Sequence, residues 1–194
     1  EGIPLTQIGA DGGLLSGAPV VRDDILLAPA QRADVIVDFS SLSAGDRVTL
    51  LNLGPDEPFG GTFDFEPANP ATTGRVMQLR VVTRTNDGIA GSIPATLPVL
   101  DPLTSTLPSR DLTLNEMAAT ADEIPVEALL GTADDGGLEW RAAVTEKPHL
   151  GDTEIWRILN LTVDAHPIHL HLVQFEVLDR TPFDAEEYAE AQAN

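Results

Sequence analysis

Four histidines occur in the chain. Three of them, His166, His169 and His171, fall within one stretch, Asp164-Ala165-His166-Pro167-Ile168-His169-Leu170-His171-Leu172-Val173-Gln174-Phe175. Uncharged imidazole is the commonest protein ligand for a transition metal and suits copper, zinc, iron and nickel. On an extended strand, side chains two apart share a face, with Cα atoms roughly 6.6 Å apart at a rise of about 3.3 Å per residue. His169 and His171 are therefore expected to look the same way, spaced for two adjacent ions, two edges of one cluster, or a single ion. His166 has the opposite parity, and Pro167 lies between it and the others. Proline donates no ladder hydrogen bond and sits at strand entrances or bulges. His166 is expected to aim away from the other two, so that one short segment serves two separate sites. His149, which follows Lys147-Pro148, has no such company and reads as a loop histidine.

The elements that must position these rings are strands. Residues 154–159 and 175–178 flank the cluster with apolar, β-branched or aromatic side chains at alternating positions, which places the histidines on or beside a sheet. Upstream, strands are expected at residues 5–8, 24–27, 32–39, 47–53 and 75–83, separated by turns at Asp11-Gly12-Gly13 and Ser43-Ala44-Gly45-Asp46 and by a Gly-, Pro- and acid-rich loop over 54–70. The Gly-Gly pair opens no helix and no GxGxxG pattern follows, so it reads as a turn, not a phosphate cradle. Arg32, Asp34 and Asp38 read as surface and loop-anchoring charges rather than a catalytic carboxylate site. From 85 to 110 the composition shifts to Pro94, Pro98, Pro102 and Pro108 with scattered Ser and Thr, the signature of an extended linker. Strands are expected again at 110–117, 127–130 and 153–163, with a turn at Ala133-Asp134-Asp135-Gly136-Gly137 that lacks the later glutamate of a calcium loop. Asn160-Leu161-Thr162 is a formal glycosylation sequon, but its place on an apolar strand argues that it stays unmodified. The tail over 184–194 reads as a short helix or an unordered end.

Bulk properties exclude several functions. Net charge is −20, from 31 acidic against 11 basic residues, so no basic face is available for nucleic acid or anionic membrane. No apolar run approaches the ~20 residues of a membrane span, and the first residues, Glu1-Gly2-Ile3-Pro4, are no signal peptide. They read like the middle of a longer chain. Cysteine is absent, which removes disulfides, zinc ribbons and thiol nucleophiles. Short strands with Gly and Pro turns indicate an all-β sandwich.

His166-Pro167-Ile168-His169-Leu170-His171 resembles the first histidine motif in the last domain of the multicopper oxidases, the laccase and bilirubin oxidase superfamily. Val144-Thr145-Glu146-Lys147-Pro148, Gly151-Asp152-Thr153-Glu154-Ile155-Trp156 and Val177-Leu178-Asp179-Arg180-Thr181-Pro182-Phe183-Asp184 resemble the bacterial spore-coat laccase branch. So do Gln7-Ile8-Gly9-Ala10-Asp11-Gly12-Gly13-Leu14-Leu15 and the stretch from Leu27-Ala28-Pro29-Ala30-Gln31-Arg32 through Ala33-Asp34-Val35-Ile36-Val37-Asp38-Phe39. The resemblance implies cupredoxin-like Greek-key β-sandwiches in two partial domains: 1–84 as the later part of the middle, copper-free domain, 85–110 as linker, and 111–194 as the incomplete first part of the copper-bearing last domain. It also implies copper as cofactor, with His166 on the type 1 ion, His169 on the type 2 ion and His171 on one of the type 3 pair. Asp164 is then a candidate to orient His166.

The activity so implied takes electrons singly from phenolic or similar organic donors and reduces dioxygen to water. The partners implied are dioxygen, a small organic electron donor and the remaining segments of the same oxidase; the residues leave localisation open, with an extracytoplasmic setting, secreted or at a spore or cell surface, slightly favoured. One departure is large. A blue-copper site needs a cysteine thiolate, which relatives supply from a downstream His-Cys-His segment, and neither that segment nor the first-domain His-x-His pairs is present. The 194 residues alone are expected to be inactive. Two alternatives stand beside this reading. His169-Leu170-His171 with Glu176 fits the start of a cupin-like pattern for a single iron, manganese or zinc, without its flanking glycines. The other is a catalytically silent copper-binding or structural β-domain.

Overall fold

Short apolar and β-branched runs bounded by Gly and Pro turns build most of the elements. The computed structural model describes residues 2–83, 91–99, 101–118 and 125–193. Its elements are β1 (Leu5–Ala10), β2 (Gly13–Leu14), β3 (Val20–Arg22), β4 (Ala33–Val37), β5 (Arg47–Leu51), β6 (Arg75–Arg80), β7 (Arg110–Ala118), β8 (Pro125–Thr132), β9 (Gly136–Gly137), β10 (Trp156–Asn160) and the helix α1 (Ala185–Ala193). The architecture is all-β, as expected, with one helix at the end of the chain. It divides into two units, Glu1–Asp101 with Pro167–Glu176, and Pro102–His166 with Val177–Asn194. The division falls between His166 and the other two clustered histidines.

In the first unit β1 is the central strand, pairing antiparallel with β2, β3 and β4. Its Thr6 and Gln7 are buried, and the Gln7 carboxamide is satisfied by donating to the Gly9 carbonyl (3.1 Å) and accepting from Arg22 (2.6 Å). Buried polar groups persist only with such partners. The register against β4 slips between Gln7 and Gly9, a bulge that bends the strand toward its hairpin. The strand expected at 24–27 is not formed; Val20–Arg22 takes its place opposite Leu5, Thr6 and Gln7. Gly17, at φ 96°, turns the chain back early, so the free edge of β1 is already paired before Asp24 is reached. A separate two-stranded ribbon joins β5 to β6.

In the second unit the sheet order is β10-β7-β8-β9. β7 and β8 are antiparallel, whereas β10 runs parallel to β7, with Trp156 opposite Arg110 and Asn160 opposite Leu114. Thr113 and Leu114 at the centre of β7 are buried. The edge of this pairing is held by a bidentate contact: Arg110 donates from Nε and Nη2 to the two oxygens of Glu154 (3.1 and 3.0 Å), and Trp156 Nε1 donates to Glu154 Oε2 at 2.7 Å. The Arg110 hydrogen bond first, then that of Trp156, holds the Glu154 carboxyl below its ordinary value. A carboxylate with a depressed pKa stabilises the fold above its ordinary value, and that contribution is lost as pH falls through the depressed one. Stability of this unit is therefore expected to drop on acidification from the ordinary glutamate range downward. Glu154→Gln should be less stable at neutral pH and show a shallower acid limb in denaturation followed by circular dichroism; an identical limb would mean that the pair does not couple to folding.

The stretch over 164–175 is irregular rather than a strand, and so are residues 175–178. Pro167 and the left-handed backbone of Leu172 (φ 72°) both interrupt a ladder. At the end of the second unit, Asp184 Oδ1 accepts from the Glu187 amide (3.0 Å) and caps α1, whose first turn carries Glu186 and Glu187, the sign that suits a helix N-terminus.

Candidate metal centre

His166 follows a turn closed by side chains. The parallel ladder continues one residue past β10, with the Leu161 amide donating to the Leu114 carbonyl (3.0 Å). Asn160 Nδ2 then donates to the Asp164 carbonyl (2.7 Å), and the Thr162 amide donates to Asn160 Oδ1 (3.2 Å). The Thr162 hydroxyl lies 2.8 Å from Asn160 Oδ1, 3.1 Å from the Asp164 carbonyl and 2.7 Å from His166 Nε2. Glu116 Oε1, reaching from β7, stands 3.4 Å from the same Nε2.

Proton accounting assigns the tautomer. The single hydroxyl proton of Thr162 serves the amide or carbonyl oxygen, both of which can only accept, so its lone pair receives a proton from the ring. Glu116 likewise only accepts. Nε2 therefore carries the hydrogen, and the Nδ1 lone pair is the one presented for a metal. Asp164 was a candidate either to orient His166 or simply to start the turn; its backbone carbonyl accepts from Asn160 Nδ2 and the Thr162 hydroxyl and closes the turn. The same turn commits the Asn160 amide of the sequon to an internal bond.

His169 and His171 belong to the other unit. Their rings meet edge to face with centroids 5.0 Å apart, so the two side chains share a side although the backbone is not a strand. The Asp11-Gly12-Gly13 turn carries this segment. A Cβ on Gly12 would lie 2.7 Å from the Phe175 carbonyl oxygen, and one on Gly13 would touch the Gln174 amide. Asp11 Oδ2 accepts from the Arg32 backbone amide at 3.3 Å, while Oδ1 stands 3.1 Å from Arg32 Nε as an ion pair without hydrogen-bond geometry, buried and with no hydrogen bond of its own. Arg32 Nη1 in turn stands 3.3 Å from Nδ1 and 3.4 Å from Nε2 of His169. Sequence reasoning treated this arginine as a surface charge and the glycine pair as a plain turn. Their role depends on proximity to residues 137 or more positions away, for which local sequence carries no signal. His149 lies in an exposed turn with Asp152, as expected.

Imidazole donors fit copper in kind. In number they do not close a site: among the described residues no group of three or more His, Cys, Asp or Glu is gathered about a common point. That includes His169, His171 and Glu176, the set a cupin-like mononuclear site would need. Each half of the segment offers an incomplete ligand set, one ring in one unit and a pair in the other.

Residues 105–194 match the sequence family described as multicopper oxidase. The chain is 38% identical over 192 residues to a laccase of Bacillus stratosphericus and 38% identical over 185 residues to a laccase of Bacillus subtilis, in each case covering 95% of this chain and 33% of the relative. It is 34% identical over 184 residues to the multicopper oxidase LPR1 of Arabidopsis thaliana, covering 93% of this chain and 29% of that protein. The chain thus spans about a third of the length of these curated relatives.

Proposed function

The chain belongs to the multicopper oxidases, and from that premise we propose that it forms part of a laccase-like enzyme in which His166 ligates the type 1 copper, His169 the type 2 copper and His171 one of the type 3 pair. Copper held at such positions supplies one-electron chemistry, so that phenolic or similar organic donors are oxidised singly and dioxygen is reduced to water. The observation that supports the reading best is the sorting of three neighbouring imidazoles into two settings. His166 has its Nε2 occupied by Thr162 and Glu116, and the His169 and His171 rings lie together 5.0 Å apart. The protein's own work at His166 is to fix the ring by its far nitrogen, which removes rotational freedom before an ion arrives.

The remaining ligands, a His-Cys-His segment and His-x-His pairs, we place in other segments of the same oxidase, with residues 1–84 as part of its middle domain and 111–194 as part of its last. The exposed side chains support this: large apolar residues such as Trp140, Leu150, Val163 and Leu172 stand uncovered. Other polypeptide is the natural cover for such a surface. Among the described residues no helix is long and apolar enough to cross a membrane.

The test is spectroscopic. The oxidase containing this segment, loaded with copper, is expected to show the blue thiolate band of type 1 copper and the near-ultraviolet band of a type 3 pair. The 194 residues titrated alone should bind copper without either band. Absence of both bands from the loaded oxidase would refute the proposal, and stoichiometric binding of one iron, manganese or zinc ion by His169, His171 and Glu176 would put the mononuclear alternative in its place.

A further inference from the structure

We infer that Arg32 is a positioning residue for His169: its guanidinium directs an N–H onto the face of the imidazole, pairs in charge with Asp11 behind it, and leaves both ring nitrogens open in the ring plane to meet a metal ion. The inference deepens the copper reading of His169 and rests on it. Its geometric basis is the near-equal separation of Arg32 Nη1 from Nδ1 (3.3 Å) and Nε2 (3.4 Å). A nitrogen lying in the ring plane at equal distance from both would collide with the Cε1 that joins them. Nη1 must therefore sit above the ring, where it donates along neither lone pair. The two contacts describe one N–H directed onto the ring face, a cation–π contact, rather than two in-plane hydrogen bonds.

Anchorage comes from the other side. Asp11 Oδ1 stands 3.1 Å from Arg32 Nε and Oδ2 accepts from the Arg32 amide at 3.3 Å, on a carboxylate whose side chain is only 16% exposed. Asp11 opens the glycine turn that also receives the Phe175 carbonyl against Gly12, so one short turn holds the backbone of the histidine segment and, through Arg32, one of its rings. The choice of residue follows from chemistry. A guanidinium has no acceptor and does not become a metal ligand itself, and its separate nitrogens can face Asp11 and the ring at once, as a single ammonium cannot. The Asp11 charge offsets that of Arg32, which eases the approach of a cationic metal.

Three substitutions in the copper-loaded oxidase test this. Arg32→Gln removes the cation and the ring contact, Arg32→Lys keeps a cation but has a single nitrogen to divide between Asp11 and the ring, and His169→Ala removes the ligand. Both Arg32 variants are expected to change the type 2 electron paramagnetic resonance signal and to weaken retention of that ion against a chelator by roughly 10–100-fold, the range for groups that orient a ligand, with the blue band unchanged. His169→Ala should lose the ion outright. If His169→Ala loses it while both arginine variants keep the native signal and retention, the positioning role is refuted and the copper reading stands. If His169→Ala keeps the type 2 signal, the copper reading fails and the inference with it. Should Arg32→Gln not fold, Arg32→Lys decides alone. In the copper-free chain the Arg32 side-chain protons are expected to be shifted upfield by the ring beneath them, and a downfield shift, the mark of an in-plane hydrogen bond, overturns the placement over the ring face.

Discussion

Replacing His166 by alanine in the complete oxidase is expected to abolish the blue band while leaving the near-ultraviolet band and the type 2 resonance largely intact. Replacing His169 is expected to do the reverse, with the blue band kept and dioxygen consumption stopped. The argument is local. His166 is held by Thr162 and Glu116 in one unit, and His169 lies beside His171 and Arg32 in the other. Nothing in the first set of contacts passes through the second ring. Loss of turnover should exceed the roughly 10–100-fold typical of changes to groups that only orient a ligand, because here a donor atom is deleted. The measurement is a pair of absorption and resonance spectra with oxygen uptake on each variant. Identical defects in the two variants would sink the division of labour proposed for the three imidazoles.

The second large effect is expected at a residue with no chemistry of its own. Gly12→Ala places a methyl group 2.7 Å from the Phe175 carbonyl oxygen, a backbone atom that can yield only if the segment moves. Overpacking of this kind costs typically about 1–3 kcal/mol. The functional loss should be larger in proportion, because displacing a catalytic group by about 1 Å can cost roughly 100-fold in rate. Copper retention at the His169 and His171 positions is expected to fall with it, and the blue band to remain. Gly17→Ala is the matched control. Its φ of 96° penalises any side chain, yet no atom lies within 4 Å of the added carbon, so it should lower stability without touching copper. Equal effects of the two substitutions on copper retention would show that the contact with Phe175 is not what holds the segment.

Much of the architecture is legible in the residues themselves. Strands expected over 32–39, 47–53 and 75–83 are present as Ala33–Val37, Arg47–Leu51 and Arg75–Arg80, because apolar and β-branched runs bounded by turn residues mark strands locally. The His169 and His171 rings lie together, although the strand that was to bring them there is not formed. What escapes is everything that depends on distant neighbours. The strand at Val20–Arg22 wins over 24–27 because the Gly17 turn delivers it first to the edge of β1, and the histidine stretch stays irregular because Pro167 and Leu172 break the ladder. Glu116 meets His166, and Arg32 meets His169, only through the fold. Asp164, the local candidate, acts through its backbone, since the Asn160 and Thr162 side chains claim its carbonyl.

The parallel alignment of β10 with β7 has a kinetic consequence. Antiparallel β7 and β8 are neighbours in sequence, whereas Arg157 must find Asp111 across 46 positions of intervening chain to set β10 parallel to β7. Loop closure of that length is paid before any contact rewards it, so β10 is expected to dock after β7 and β8 have paired. The Asn160 turn takes shape only once that docking has occurred, and the His166 ring acquires its fixed tautomer last. During biogenesis, then, the nascent polypeptide offers no ordered imidazole at this position to stray cations until its sheet is finished.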